Sequence, residues 1–518
     1  MTDSAVFRLL DVPPELLVHI FSSLPNEALH ACQQTCRFLA NFINSSVELQ
    51  YRMALNTAGY ADNQESTMPF VDRIAALRTK EAAFGEFKFS WRRHIPVTFA
   101  ATGLYELSAG IYFLGESSRQ ALRYIKLPSE PDTYDAPPVD WERIALRSRN
   151  NTVIIDFGLA IQEHDLIVFA TFTPTPGQQL PTTTSPNTEG LVKLEFLSML
   201  THQAHPEASG PIEVETSRWG LPNIILEIVG DHLVFVVRYG RAVVDPPPDN
   251  VYVYKWRTRN LIKHITAAPH TYFGAVFLTP EVVVLPNTTA ASLELWRITS
   301  AESQPALTLH LPSILPHARL RIFAARGEPN PSLHQMRMDP RLPFSASVES
   351  SIIFFHLDFL HEAFLLFVHR RTLLALLAAH PHPPADGLRY AMWGPDVCRW
   401  LDAVGMHTEW ITMSAGQRCV VCPRLGPASF FLLDFNPHSV PSPVTRHLPP
   451  TDDAFPTRVP DEAVWAEAVG SRLPCVIGAS KQYYVAYDGA CLDEERIIAF
   501  RRISPGAQVA AIEVFYFG

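Results

Sequence analysis

Glycine is scarce in this chain, 24 residues of 518 against 44 prolines, and charged residues make up only 18%. The sequence has no Gly-rich phosphate loop, no strand–Gly–helix dinucleotide fingerprint and no G-x-S-x-G elbow, so the common nucleotide-binding and serine-hydrolase signatures are missing. Cysteines number seven, an odd count without regular spacing, and do not form a disulfide framework. The opening MTDSAVFRLL lacks a basic region followed by an apolar run, so no secretory signal is expected. A reducing compartment, cytoplasmic or nuclear, is the expectation, and Asn44, Asn150 and Asn287 in N-x-S/T contexts are then incidental.

Long uninterrupted apolar runs are also lacking. The most apolar region, SIIFFHLDFLHEAFLLFVHRRTLLALLAA, is broken by His356, Asp358, His361, Glu362, His369 and Arg370-Arg371, which argues for buried strands or a buried helix rather than a membrane span. A net charge of −10 and a pI near 6.1 leave no broad basic field, so neither nucleic acid nor an anionic membrane is an expected partner. What the chain does have is a 47% hydrophobic composition and many Pro-marked turns, as a folded chain would. Its length exceeds the roughly 250–300 residues at which single cores stop growing, so several domains or a closed repeat are expected.

Near the N-terminus stands DVPPELLVHIFSSLPNEALHACQQTCRFLANFI. Leu16, Leu17, Ile20, Phe21 and Leu24 recur at three- and four-residue steps on one amphipathic helix, opened by Pro13-Pro14 and stopped by Pro25. Asn26 can cap a second helix through Leu29 and Cys32, and a third, from about Thr35, carries Phe38, Leu39, Phe42 and Ile43. A unit of about 40 residues has a marginal core of its own, so part of this apolar surface is expected to meet a partner. Fully burying each Leu, Ile or Phe is worth about 1.5–3 kcal/mol, on the order of 10 kcal/mol for most of the stripe.

These residues carry a resemblance. V-P-P-E-L-L-V-H-I-F-S-S-L-P, followed by L-H-A-C and T-C-R-F, resembles the F-box, the module that docks substrate receptors on the Skp-family adaptor of cullin–RING ubiquitin ligases. The family's opening Leu-Pro falls on Val12-Pro13, its helix Leu, Ile and Leu on Leu16, Ile20 and Leu24, and its Val-Cys-Arg with a following aromatic on Thr35-Cys36-Arg37-Phe38. Val12 and Thr35 depart from the pattern, trimming one apolar position and polarising another. The resemblance implies an adaptor-binding set of Pro13, Leu16, Leu17, Ile20, Phe21, Leu24, Cys36, Arg37 and Phe38.

The module is expected to span residues 8–54, followed over 55–90 by a linker with a helix near Val71 to Phe84. From Trp91 the pattern becomes pairs of β-rich runs. LYELSAGIYFLGE pairs with ALRYIKLP, EHDLIVFATF with GLVKLEFL, GDHLVFVVRY with NVYVYKWRT, LTPEVVVLP with ASLELWRIT, SAGQRCVVCP with ASFFLLDF, and ASKQYYVAYDG with ERIIAF. A poorer seventh is HEAFLLFVHR with TLLALLAA. Small sheets that each expose an apolar face bury it by stacking, and closure into a ring removes most free edges, so a β-propeller of about seven blades over 91–518 is expected. A pair of β-sandwiches and a helical repeat are the competing architectures. The layout as a whole resembles F-box proteins of mushroom-forming fungi.

No cofactor or metal follows from the remaining motifs. Cys419-Val-Val-Cys422 is a lone pair on opposite faces of a strand; Cys32 and Cys36 bracket a turn; His202 with His205 and His380 with His382 lack a carboxylate pattern; Leu365 stands where a zinc-protease motif from His361 needs its second histidine. Tyr239, Arg241, Tyr272 and Trp393 are candidates for a recognition face. The resemblance implies a non-catalytic substrate receptor that binds the Skp-family adaptor, through it cullin, and a target protein. A non-degradative interaction scaffold and a propeller enzyme are the alternatives, the enzyme requiring a funnel of clustered carboxylates and histidines.

Overall fold

The computed structural model describes residues 9, 12–131, 139–146, 151–180, 188–333, 336–408, 412–424, 429–439, 464–480, 487–502 and 508–518. Helix α1 spans Pro14–Ser22, α2 Asn26–Thr35 and α3 Arg37–Ser45, in the order the proline and cap signals predict. A fourth helix that the pattern did not reveal, α4 over Val47–Ala58, starts at Ser46, whose hydroxyl accepts from the Leu49 N–H, and ends at Gly59 with φ 77°. Its interior positions Leu49, Tyr51 and Leu55 alternate with Glu48, Gln50 and Arg52, which hides the helical period. Pro69 precedes the longer α5, Phe70–Gly85.

Between α4 and α5, part of the expected polar linker is structured. Tyr60–Asp62 forms a short strand paired antiparallel with Phe344–Ala346, far along the chain, in the register Tyr60↔Ala346 and Asp62↔Phe344. Among the described residues, the other strands form seven four-stranded antiparallel sheets, the sixth with one extra short strand. Blade 1 comprises Ala101–Ser108, Ile111–Glu116, Ala121–Lys126 and Glu142–Ala145; blade 2, Val153–Ala160, Leu166–Pro174, Gly190–Ser198 and Ile212–Ser217; blade 3, Asn223–Val229, His232–Arg238, Asp249–Lys255 and Asn260–Ala267. Blade 4 takes Val276–Thr279, Val282–Asn287, Ser292–Arg297 and Leu307–His310; blade 5, Ile322–Arg326, Ile352–Asp358, Ala363–His369 and Cys398–Asp402. Blade 6 is built on Arg418–Pro423, Phe431–Asp434 and Val476–Ala479, with Met406–His407 and Ser414–Ala415 both along its first edge.

Blade 7 closes the ring. Ala490–Leu492, Arg496–Arg502 and Val509–Tyr516 come from the end of the chain, and Trp91–Pro96, from before blade 1, is its outer strand. Trp91 stacks on Tyr516 at 4.9 Å, and Arg92 Nε donates to Glu513 at 2.5 Å. The apolar faces are covered as stacking requires: Phe113, Leu122 and Ile144 of blade 1 pack with Ile154, Phe157 and Phe169 of blade 2, and Val234 and Val251 of blade 3 with Phe277 and Val283 of blade 4.

The predicted runs are mostly second and third strands of blades, VYVYKW and LELWRI being third strands. In the sixth pair, residues 481–486 of ASKQYYVAYDG lie outside the described residues. The seventh pair needs correction. TLLALLAA is helical, within Arg370–Ala379, and the partner of Ala363–His369 is the apolar run Ile352–Asp358. Leu373 and Leu377, one helical turn apart, are its buried positions, so a stripe rather than an alternating face is what the segment offers the core.

The antiparallel order places the C-terminal ends of strands 1 and 3 of each blade on one face of the ring and the C-terminal end of strand 2 on the other. The helices sit on the first face, where Gly59 approaches Gln417 and α5 approaches Arg418.

Candidate functional site

Helix α1 has two apolar faces. Leu17 and Phe21, only 1% and 2% exposed, point inward with Val12, Leu29, Leu39, Ile43 and Leu49 to form the module's own core. Leu16 and Ile20 are 55% and 40% exposed, and Phe38 on α3 is 47% exposed, stacked at 6.3 Å on Phe42, which leans on Phe21. Leu24 is half-buried against the core, while Pro13, Cys36 and Arg37 are exposed. Of the expected contact residues, Leu17 and Phe21 are thus enclosed by the module itself. Leu9 and Val47, each 41% exposed, are further apolar surface that the spacing did not single out.

This division lowers the energetic expectation. With Leu17 and Phe21 used internally, docking over the half-exposed Leu16, Ile20 and Phe38 would recover about 1 kcal/mol each, roughly 3 kcal/mol rather than 10. Of the two departures from the family pattern, Val12 lies in the core at 9% exposure, and Thr35 is exposed with its hydroxyl donating to the Cys32 carbonyl at 2.7 Å.

The module is tied to the propeller by polar and aromatic contacts. Tyr51 donates its hydroxyl to Asp62 at 2.9 Å and lies 3.0 Å from the Pro343 carbonyl, so α4 holds both strands of the ribbon. Arg73 of α5 reaches Asp62 at 2.7 Å and the Met68 carbonyl at 2.7 Å. From blade 6, Arg418 donates to both oxygens of Glu81 at 3.0 and 2.6 Å, to Asp434 at 3.3 Å and to the Tyr60 hydroxyl at 3.0 Å. Phe84 stacks on Phe517 at 4.4 Å. A bidentate guanidinium–carboxylate pair with its side chain 10% exposed fixes orientation as well as distance.

On the propeller, three of four recognition candidates turn inward. Tyr239, Tyr272 and Trp393 are 1%, 3% and 4% exposed; they donate to Glu215, to Glu294 and to the His310 carbonyl. Arg241 alone of the four is exposed. Cys419 and Cys422 are buried in different clusters on opposite sides of their strand, and burial pushes the Cys419 thiol well up.

Along the inner strands, Glu106, Asp156 and Glu227 of blades 1 to 3 gather with Arg326 and Glu328 at the end of blade 5's first strand. Arg326 donates to Glu227 at 3.1 Å, Asn330 to the same carboxylate at 3.1 Å, and Thr412 to Glu106 at 2.9 Å. Burial pushes Asp156 up to about 7 and Glu328 up to about 8, Glu227 and Glu106 adding to the shift of Glu328. Among the described residues no three of His, Cys, Asp or Glu gather so as to hold a metal ion, and no helix is long and apolar enough to cross a membrane.

The class defined by this geometry is a small helical bundle with an apolar ridge open to solvent, fixed to one face of a seven-bladed propeller. The bundle has a family: residues 9–56 match the F-box-like family, so the chain carries an F-box ahead of its propeller. No curated protein is significantly similar to the chain in sequence. Among solved structures, the WD40 domain of Toxoplasma gondii coronin is 7% identical, with a TM-score of 0.41 over 83% of this chain and 85% of that one. YCF48 bound to D1 peptide is also 7% identical, with a TM-score of 0.36 over 82% of this chain and 94% of that one. The propeller assignment stands on the strand pairing itself.

Proposed function

We propose that this protein is the substrate-recognition subunit of a cullin–RING ubiquitin ligase. The F-box docks on the Skp-family adaptor, which links it to cullin, and the propeller binds a target protein. The observation that carries this reading is the pair Leu16 and Ile20, 55% and 40% exposed on a module whose core is already complete without them. Around them the adaptor surface comprises Pro13, Leu24, Cys36, Arg37 and Phe38. The chain itself performs no bond chemistry in this reading; it holds a target near the ubiquitin-charged enzyme and so raises their effective concentration. Co-purification with a Skp-family adaptor tests docking, and accumulation of a bound target on F-box deletion tests turnover. Unchanged target levels reject the receptor reading.

One observation favours a second reading, a scaffold that does not promote target turnover. Thr35 places a hydroxyl on exposed surface where the F-box pattern carries an apolar side chain, which weakens the ridge. Adaptor binding with unchanged target levels would select it. The carboxylates about Arg326 supply one of the two kinds of group the enzyme alternative requires, and Asp156→Asn tests it: a hydrolytic activity abolished by that change would establish a propeller enzyme.

A further inference from the structure

On the ring face away from the helices, loop 239–248 of blade 3 and the connection 268–275 into blade 4 bring cationic side chains together. Arg238 ends the second strand of blade 3 and lays its guanidinium over the Phe273 ring, 4.0 Å from the centroid. Its Nε is buried and has no acceptor. The carboxylate that acts on it, Asp249, already accepts the backbone N–H groups of His270 at 3.1 Å, Thr271 at 2.7 Å and Tyr272 at 2.9 Å. Its oxygens hold the loop rather than the guanidinium. His270 stands beside them, and its Nδ1 is also buried without a partner. Arg241 is exposed and donates to the Arg321 carbonyl at 2.9 Å, which holds it toward the entry of blade 5.

The electrostatics agree with the geometry. Burial pulls Arg238 down to about 10, with Arg241 adding to the depression, and burial, Arg241 and Arg238 together lower His270. Asp245 lies exposed further along the same loop. A partly buried guanidinium with an orphaned donor, a second arginine and an imidazole facing a spent carboxylate form a site complementary to an oxyanion. An incoming anion beside the two guanidinium groups would offset their mutual repulsion and favour a proton on His270.

We propose that Arg238, Arg241 and His270 form an oxyanion-binding site for a phosphoryl or carboxylate group carried by a target polypeptide. Only the identity of the carrier rests on the receptor reading; the chain's net charge of −10 disfavours a nucleic acid in that place.

The test is calorimetric titration of the full-length protein with inorganic phosphate and, separately, with acetate. Saturable binding of either anion is expected, weakened at least tenfold by Arg238→Gln and by Arg241→Gln and unchanged by Arg259→Gln on the opposite face. Arg241 is exposed, so its variant remains informative if the Arg238 variant fails to fold. Preference for phosphate assigns a phosphorylated target and preference for acetate an acidic one, both within the proposal. Absence of saturation by both anions, or undiminished binding in folded Arg241→Gln, overturns it. Tighter binding of a single-stranded oligonucleotide than of phosphate overturns the polypeptide assignment. These titrations need no adaptor, so loss of adaptor docking with retained anion binding would sink the receptor reading and leave the site standing.

Discussion

Replacing Leu16 by Asp and, separately, Leu17 by Ala separates the two faces of α1. Leu16 is 55% exposed, so a partner would hide about half of a leucine, worth roughly 1 kcal/mol, and Leu16→Ala should weaken adaptor binding by about fivefold. Leu16→Asp adds a carboxylate with no partner in an apolar interface, a cost of several kcal/mol that should reduce affinity by a hundredfold or more. Neither change touches the core, and the melting curve should stay that of the wild type. Leu17, at 1% exposure, behaves oppositely: Leu17→Ala opens a cavity costing about 2–5 kcal/mol of module stability. Calorimetry with a purified Skp-family adaptor reads the first effect, and hydrogen exchange over residues 12–58 reads the second. Wild-type affinity in Leu16→Asp would refute the reasoning. So would a folded Leu17→Ala that binds more weakly than Leu16→Asp.

Arg418→Met leaves Glu81 and Asp434 without their shared cation at a site where the arginine side chain is only 10% exposed, and should cost about 3–5 kcal/mol; faster hydrogen exchange in α5 with unchanged exchange in blade 3 is the expected signature. Asp156, raised to about 7, and Glu328, raised to about 8, bind protons more tightly folded than unfolded, so stability falls as pH rises from about 4 through those values, by at most about 1.4 kcal/mol per pH unit for each group. Thermal melts between pH 5 and 8 should show that slope, and Asp156→Asn with Glu328→Gln should flatten it. Cys36 is exposed whereas Cys398, Cys419, Cys422 and Cys491 are buried, so iodoacetamide should label Cys36 far faster than those four, and a bound adaptor should protect it; peptide mass mapping decides.

The F-box could be read from its prolines and apolar spacing because short-range signals set its helix ends. Which apolar residues faced inward could not, since Leu16 and Leu17 are adjacent and chemically identical and only the packing of α3 and α4 distinguishes them. Blade strands two and three stood out because both of their faces are covered by neighbouring blades, as in LIVFATF and LVFVVR, and they read as nearly continuous apolar runs. Inner strands were less visible because several carry charges toward the axis, Glu106, Asp156 and Glu227 among them. The loop aromatics misled for the converse reason: Tyr239 and Tyr272 lie near strand ends, but a carboxylate accepts from each hydroxyl, so burial costs them little. The oxyanion cluster left no spacing signal, since Arg238 and His270 lie far apart in the chain and are brought together by the loop that Asp249 holds.

The join between F-box and propeller coincides with the seam of the ring. Helix α5 ends at Gly85, Phe87 and Phe89 pack edge-on against Phe517 and Phe515, and the chain then enters Trp91–Pro96, the strand that closes blade 7. Any motion of the F-box relative to the ring must therefore strain the contacts that keep the ring shut: the Trp91–Tyr516 stack, the Arg92–Glu513 pair and the Phe84–Phe517 stack. Opening them would expose a strand edge and apolar blade faces together, so the stability of closure is also the stiffness of the joint. In the proposed receptor reading, where the chain acts by position alone, this coupling matters more than the affinity of either face. Together with the Tyr60–Asp62 ribbon and the Arg418–Glu81 pair, it holds the exposed ridge of α1 on one side and the Arg238–Arg241 loops on the other in a fixed relation.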